Sequence, residues 1–170
     1  MVWNDTDIPL AYFITFRTYG TWLHGDERGS TSRHRNIYKT QTLRYEPTWL
    51  ETNTKRMRRQ PVILDAAQRA VVDEAIRTCC QLREWALFAV NMRTNHGHTV
   101  VCAPQTTIGR VLNALKSNST RMMRDKLVWN NKHSPWSDKG STRFLWNQES
   151  VVRACHYVEF GQGDELIDFD

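Results

Sequence analysis

The sequence lacks several patterns, and each absence excludes a class of protein. No apolar run approaches the ~18 residues of a membrane-spanning helix, so no membrane span is expected. The first seven residues are polar with two acids, unlike a signal peptide. Only four cysteines occur, and none forms a C-x-x-C pair, so no zinc-ribbon site is predicted. These absences favour a cytoplasmic protein with reduced thiols.

Signatures of several common enzyme classes are also missing. No Ser-His-Asp or Cys-His arrangement is legible, and no Gly-rich phosphate loop follows a predicted strand. The length of 170 residues and the hydrophobic content of 40% predict one domain, residues 1–170, with one core. A nucleophile, if the protein is an enzyme, must therefore be sought outside these patterns.

Positive charge is concentrated in one segment at about residues 20–60. This segment holds nine Lys/Arg and four acids, which accounts for the whole net charge of +5. Its densest part includes Lys55, Arg56, Arg58 and Arg59. A concentrated basic segment suits a polyanion such as nucleic acid, although a solvated loop has the same composition. We interpret it as a basic insertion that contains a functional loop or a short helix.

The pattern of the remaining chain predicts an α+β fold. Strands are expected at 10–18, 85–92, 97–102 and 142–146, and helices at 65–82, 106–126 and 148–160. Asp65 with Gln68 predicts a capping box, and Asn147 is the expected cap of the last helix. That helix should face inward with Val151, Val152, Cys155 and Val158. Residues 130–142 are expected to be a loop, and the order βαββαβ is the ferredoxin-like pattern of an antiparallel sheet with packed helices.

The sharpest chemical signal is the pair His96 and His98 at the start of the third predicted strand. Residues i and i+2 of a strand point to the same face, so both imidazoles aim at one point, as a metal ion requires. Two such ligands leave open coordination positions at which a divalent ion could polarise a phosphoryl oxygen.

Tyr157 is the best-placed candidate nucleophile among five tyrosines. It follows Arg153 by four residues on the last predicted helix, so the two side chains share one face. A phenol beside a guanidinium near a bound phosphate could ionise and attack it. Taken alone, a half-buried packing tyrosine would give the same pattern.

Two motifs together resemble a known family. Asn95-His96-Gly97-His98-Thr99-Val100-Val101, followed by Ser150-Val151-Val152-Arg153-Ala154-Cys155-His156-Tyr157-Val158, resembles the single-tyrosine HUH transposases, and more narrowly the REP-associated tyrosine transposases and insertion-sequence relatives. The resemblance implies a ferredoxin-like fold and a single-strand DNA endonuclease and strand transferase. It further implies that His96 and His98 hold Mg²⁺ or Mn²⁺, and that Tyr157 forms a 5′-phosphotyrosine during DNA transposition.

The sequence departs from the family pattern at two glycines. The position between the histidines is usually bulky and apolar and is Gly97 here. The family commonly has Asn or Gln four residues after the tyrosine as a third metal ligand, and this position is Gly161. Gln162 would replace that ligand if the helix unwinds at Gly161, and Glu159 is the other candidate.

The resemblance also implies a partner and a location. The expected partner is single-stranded DNA with a hairpin, in a prokaryotic, nucleoid-associated protein, and a homodimer stays open. Trp22, Trp49 and Trp136 are candidates for stacking on bases or for packing. The expected contacts to the DNA backbone are Arg110, Lys116, Arg121, Arg124, Arg153, Lys55, Arg56, Arg58 and Arg59.

Three alternatives remain at this point. A non-catalytic nucleic-acid-binding protein derived from a transposase would bind DNA without metal or Tyr157. A replication-initiator or relaxase-like nicking enzyme would share the chemistry and differ in its substrate and partners. An ordinary small metalloprotein would need a further ligand beyond the two histidines.

Overall fold

The computed structural model of the chain describes residues 8–23, 26 and 45–162. In chain order the elements are β1 Ala11–Thr18, α1 Pro47–Arg56, α2 Ala66–Leu82, β2 Ala86–Met92, β3 His96–Cys102, α3 Ile108–Asp125, β4 Trp136–Leu145 and α4 Gln148–Phe160. Across those described ranges, no helix has the length and apolar character that crossing a membrane requires.

The four strands form one sheet in the order β2-β3-β1-β4, and every neighbouring pair is antiparallel. With α2 and α3 as the two crossover helices, this is the ferredoxin-like arrangement. The α+β fold class is therefore confirmed. The hairpin of β2 and β3 closes through the expected turn, where the Arg93 amide donates to the His96 carbonyl at 2.8 Å.

The two faces of the sheet have different cores. Tyr12, Ile14 and Phe16 of β1 pack with α2 and α3 in the larger core. The alternate residues of β1 face the other way, where Phe13 joins a smaller core with α4. The register pairs Thr15 with His98 and Arg17 with His96, so both histidines lie on the face that α4 covers.

Local signals set the helix boundaries. Asp65 and Gln68 form the expected reciprocal capping box at the start of α2. The Asn147 side chain accepts a hydrogen bond from the Ser150 amide at 2.9 Å and caps α4. The short helix α1 lies inside the basic insertion, so the alternative of a helix within that segment is confirmed.

Two predictions about the C-terminal third were wrong. Strand β4 begins at Trp136, inside the expected loop, because the indole of Trp136 is buried and donates to the Lys116 carbonyl at 3.0 Å and the Thr120 hydroxyl at 3.1 Å. This burial leaves Trp136 no face for a nucleobase. Val152, which was expected to face inward, is 60% exposed. Ala154 is buried in the core beside Val158 instead.

Gly97 marks a close approach in the larger core. A Cβ at this position would lie 2.2 Å from Met92 Sδ and 3.3 Å from Phe16 Cζ. We therefore expect Gly97→Ala to lower the free energy of unfolding by about 1–3 kcal/mol, since added volume forces buried neighbours to move. Urea unfolding measures this change.

Gly109 supplies the matched control for that variant. Nothing lies within 4 Å of a Cβ added there. Gly109→Ala should be neutral or stabilise by up to about 1 kcal/mol, because alanine restricts the unfolded chain and favours the helix. Equal stability of Gly97→Ala and the wild type would contradict the packing argument.

Candidate active site

A cavity of about 880 Å³ opens on the sheet face that α4 covers. It is built by β1, β3, β4 and α4 together with Trp22 after β1 and with Gly161 and Gln162 after α4. The polar and aromatic side chains that line it are Phe13, Thr15, Arg17, Trp22, His96, His98, Ser141, Arg143, Phe144, Ser150, Arg153, Tyr157 and Gln162. The predicted histidines, the predicted tyrosine, Arg153 and Gln162 are thus brought together in one place.

The two histidines lie side by side on β3, with ring centroids 4.8 Å apart. Each has its Nδ1 within hydrogen-bond distance of an oxygen. His98 Nδ1 is 2.7 Å from the Thr15 hydroxyl, and His96 Nδ1 is 2.7 Å from Asn95 Oδ1. An amide oxygen only accepts, so in the neutral ring His96 donates through Nδ1 and Nε2 is the nitrogen that carries the lone pair.

His98 is held in its neutral form. Burial lowers its pKa from 6.5 to about 4, the positive potential of His96 and Arg17 acts in the same direction, and a hydrogen bond with Gln162 opposes them. The side chain is only 6% exposed, so water replaces little of this lost solvation. At neutral pH the imidazole of His98 is therefore uncharged, as a metal ligand must be.

Gln162 reaches the histidines because α4 ends at Phe160 and the chain turns at Gly161. Helix α4 ends at Phe160, and Gly161 caps it with its amide bound to the Tyr157 carbonyl at 2.8 Å. Gln162 Nε2 donates to the same carbonyl at 3.2 Å, which turns Oε1 to within 3.3 Å of His96 Nε2. Glu159, the other candidate, is exposed and does not line the cavity.

This convergence is a test of whether the site suits a metal. With hydrogen on His96 Nδ1, Gln162 Oε1 and His96 Nε2 present lone pairs to each other at 3.3 Å, an arrangement that a proton on Nε2 or a bound cation would satisfy. No three His, Cys, Asp or Glu side chains gather as metal ligands in the part of the chain that the structure describes. A divalent ion would therefore take two imidazoles and the Gln162 amide oxygen, and the donor set fits that use.

Tyr157 stands at the edge of this group. Its ring makes edge contacts with His98 at 5.6 Å and with Phe13 at 6.0 Å between centroids. It is 46% exposed, so a ligand in the cavity can reach the phenol. Arg153 lies one turn earlier on α4 and is 3.2 Å from Glu149 in an exposed ion pair.

Two arginines of the cavity were missed as site residues. Arg17 pairs with His96 across β1 and β3, and its guanidinium lies 3.5 Å above the ring of Trp22. Arg143 pairs with Phe13 across β1 and β4. The two-residue spacing of Thr15 and Arg17 could have indicated the first. Arg143 could be found only from the register of β4 on β1, which pairs it with Phe13.

The predicted DNA contacts on α3 lie on the other face of the sheet. Helix α3 belongs to the larger core with α2, whereas the histidines and Tyr157 lie on the α4 face. Lys116, Arg121 and Arg124 line a separate groove of about 590 Å³ together with Lys132. Arg110 is exposed on the first turn of α3.

Lys116 requires a correction. Its side chain is buried, and the ammonium donates to the carbonyls of Ser137 at 2.5 Å and Asp138 at 3.3 Å. These hydrogen bonds hold β4 against α3. They occupy the ammonium group that was expected to contact a DNA phosphate. The role of Lys116 in the described structure is therefore structural.

We expect Lys116→Met to lower the free energy of unfolding by about 1–2 kcal/mol, because two carbonyls lose their donor. Burial lowers the pKa of Lys116 from 10.5. Between that lowered pKa and 10.5 Lys116 binds more protons in the unfolded chain than in the folded one, so the contribution of Lys116 to stability rises with pH there. The variant should lack this rise in denaturant unfolding measured across alkaline pH. Arg121→Ala, on the exposed side of α3, is the control and should keep the rise.

The cations of the basic insertion are partly described. Lys55 pairs with Glu51 at 2.5 Å within α1. Arg59 lies 4.0 Å above the ring of Tyr19 and donates to the Ser134 carbonyl at 3.2 Å. Arg56 is exposed at the end of α1, and Arg58 follows it. The insertion's other five cations, Arg28, Arg33, Arg35, Lys39 and Arg44, lie outside the described residues.

The chain is similar to one transposase family and to solved transposase structures. The family model of IS200-like transposases matches residues 53–159. A REP-associated tyrosine transposase, solved bound to a REP hairpin, has a TM-score of 0.52 at 12% identity, covering 95% of this chain and 72% of that one. A putative transposase from Deinococcus radiodurans R1 has a TM-score of 0.45 at 13% identity, covering 94% and 95%. No curated protein matches the chain by sequence.

Proposed function

Because this chain belongs to the IS200-like transposase family, we propose that it cuts and rejoins single-stranded DNA through a covalent link to Tyr157. Family membership agrees with the resemblance drawn from the two sequence motifs. The observation that carries the proposal is the position of Tyr157, whose ring contacts His98 inside a cavity that also holds His96 and Gln162. A nucleophile, a ligand set and three cations share that cavity.

In the proposed reaction the Tyr157 oxygen attacks the phosphorus of a DNA phosphodiester. A bond from Oη to phosphorus forms, and the bond from phosphorus to the 3′ oxygen breaks. The phenol gives up its proton, and the departing 3′ oxygen gains one to become a hydroxyl. Attack by a 3′ hydroxyl on the phosphotyrosine reverses these changes and joins strands, so no outside energy source is consumed.

The chain's own side chains divide the remaining work. Arg143, Arg153 and Arg17 enter the cavity from three different elements and can neutralise the charge that develops on the phosphate. Phe13 and His98 hold the Tyr157 ring by edge contacts. A Mg²⁺ or Mn²⁺ ion held by His96, His98 and Gln162 would supply Lewis-acid polarisation of the phosphoryl oxygen.

The proposed partner is single-stranded DNA that carries a hairpin. The solved structural neighbour was bound to a REP hairpin, and this supports the proposal by analogy. The groove of Arg121, Arg124 and Lys132 on the α3 face offers a second basic surface, separated from the catalytic cavity by the sheet. A phosphate backbone bound there would position the DNA without taking part in the chemistry.

A covalent-adduct assay tests this function. The full chain is mixed with labelled single-stranded hairpin DNAs, with Mn²⁺ or with chelator, and run on a denaturing gel. We expect a protein–DNA band that needs Mn²⁺ and survives denaturation. Salt-sensitive DNA binding with no adduct on any DNA would instead support the non-catalytic binding protein.

A further inference from the structure

We propose that Asn95 and Thr15 are positioning residues that set the ring orientation of the two histidines, with Asn95 also selecting the tautomer of His96, and that they thereby set the affinity of the site for a divalent cation. This rests on the proposed function, since it concerns the same site. As a general rule, a metal-binding histidine donates a hydrogen bond from its second ring nitrogen to an oxygen, and this oxygen strongly affects metal affinity. In this chain the two partners come from different parts of the structure.

Asn95 acts on His96 from the hairpin turn. The amide oxygen of Asn95 lies 2.7 Å from His96 Nδ1 and can only accept, so it selects the form of the ring with hydrogen on Nδ1. The opposite nitrogen, Nε2, is then the electron-pair donor that faces Gln162. Without this acceptor the ring would be free to place its hydrogen on Nε2 and lose the ligand.

The backbone around Asn95 is itself fixed. Its carbonyl accepts from the Thr18 amide at 2.9 Å and from the Thr18 hydroxyl at 3.1 Å at the end of β1. The neighbouring Thr94 carbonyl accepts from the Leu64 amide at 2.7 Å. The turn is therefore tied to two other segments, and Asn95 has a rigid base from which to orient the imidazole.

Thr15 acts on His98 across the sheet. The two residues are direct partners in the β1–β3 register, and the Thr15 hydroxyl is 2.7 Å from His98 Nδ1. The ring of Phe13 stacks on His98 at 5.7 Å with an interplanar angle of 13°. Phe13 thus fixes the plane of the imidazole, and the Thr15 hydroxyl fixes which nitrogen points away from β1.

The experiment measures Mn²⁺ affinity of the full chain without DNA, by the loss of the free Mn²⁺ signal in electron paramagnetic resonance. Thr15→Val and Asn95→Ala each remove one partner and should weaken binding about 10–100-fold. Thr15→Ser and Asn95→Asp keep an oxygen at the same place and should bind Mn²⁺ no more than about threefold more weakly than the wild type, and the added charge of Asp favours binding. Thermal unfolding of each variant confirms that it is folded.

Thr99→Val is the matched control. Thr99 lies next to His98 on β3 and points to the opposite face, where its hydroxyl is buried without a hydrogen-bond partner. This variant should leave Mn²⁺ affinity unchanged. It reproduces the chemical change of Thr15→Val on the same sheet with no histidine involved.

The outcomes separate the two proposals. If His96→Ala strongly weakens Mn²⁺ binding while Thr15→Val and Asn95→Ala bind as the wild type does, the positioning role is overturned and the metal site stands. If the wild type binds no Mn²⁺ at all, the metal part of the proposed function fails, and the positioning role falls with it. Weak Mn²⁺ binding by Thr15→Val and Asn95→Ala supports the inference when Thr15→Ser and Asn95→Asp still bind Mn²⁺.

Discussion

Tyr157→Phe is expected to abolish the covalent protein–DNA adduct and to lower strand cleavage by at least about 10⁴-fold, because it removes the only atom of this side chain that can attack phosphorus. The phenyl ring keeps the edge contacts of Tyr157 with Phe13 and His98. Fold, cation affinity and DNA binding should therefore remain close to those of the wild type. The loss would then lie in the chemical step alone.

A denaturing gel with labelled DNA measures the adduct, and a binding titration measures the affinity of the same variant. Tyr45→Phe and Tyr12→Phe are the controls. Tyr45 is 54% exposed outside the cavity, and the Tyr12 hydroxyl donates to the Thr106 carbonyl on the other face of the sheet. An adduct that persists in Tyr157→Phe and disappears in either control would assign the nucleophile elsewhere.

His96→Ala is the second variant with a large expected effect. We expect adduct formation to fall about 10²–10³-fold at saturating DNA, because the phosphoryl oxygen loses its electrostatic stabilisation. Part of the loss should be recovered by raising the Mn²⁺ concentration, since the remaining ligands still bind weakly. Titration of adduct yield against Mn²⁺ concentration measures both the fall in adduct formation and its recovery.

Gln162 allows the ligand set to be graded. Gln162→Ala removes one neutral oxygen and should cost about 10-fold or more in Mn²⁺ affinity, less than the loss of an imidazole. His156→Ala is the matched histidine control, because that ring contacts Phe160 at 5.1 Å and does not line the cavity. Equal damage from His156→Ala and His96→Ala would argue against a specific ligand role for His96.

Much of the fold was predictable because local signals and the global arrangement agree. The capping box of Asp65, the cap at Asn147 and the aromatic and β-branched residues of β1 each specify an element without knowledge of the rest. The first part of β4, residues 136–141, escaped prediction because Trp136 is followed there by a run of polar residues and glycine with mostly exposed side chains. The start of β4 is set by Trp136, whose side chain is buried against α3, and such a tertiary contact is not visible in the local sequence.

The site was predictable where two side chains share one element and not where several elements meet. His96 and His98 are two residues apart on one strand, and Arg153 and Tyr157 are one turn apart on one helix. Arg143 enters through its register with Phe13, which no local pattern encodes. Lys116 was misjudged for the related reason that periodicity does not show which cation α3 buries against β4.

The two ends of the basic insertion meet beside the β2–β3 hairpin that carries His96 and His98. The Val62 amide donates to the Tyr19 carbonyl at 2.9 Å, and the Leu64 amide donates to the Thr94 carbonyl at 2.7 Å. Chain added between such joined ends costs little stability, since the free energy of loop closure grows only slowly with length. The length and sequence of the segment between these ends can therefore change while the histidines and Tyr157 keep their places.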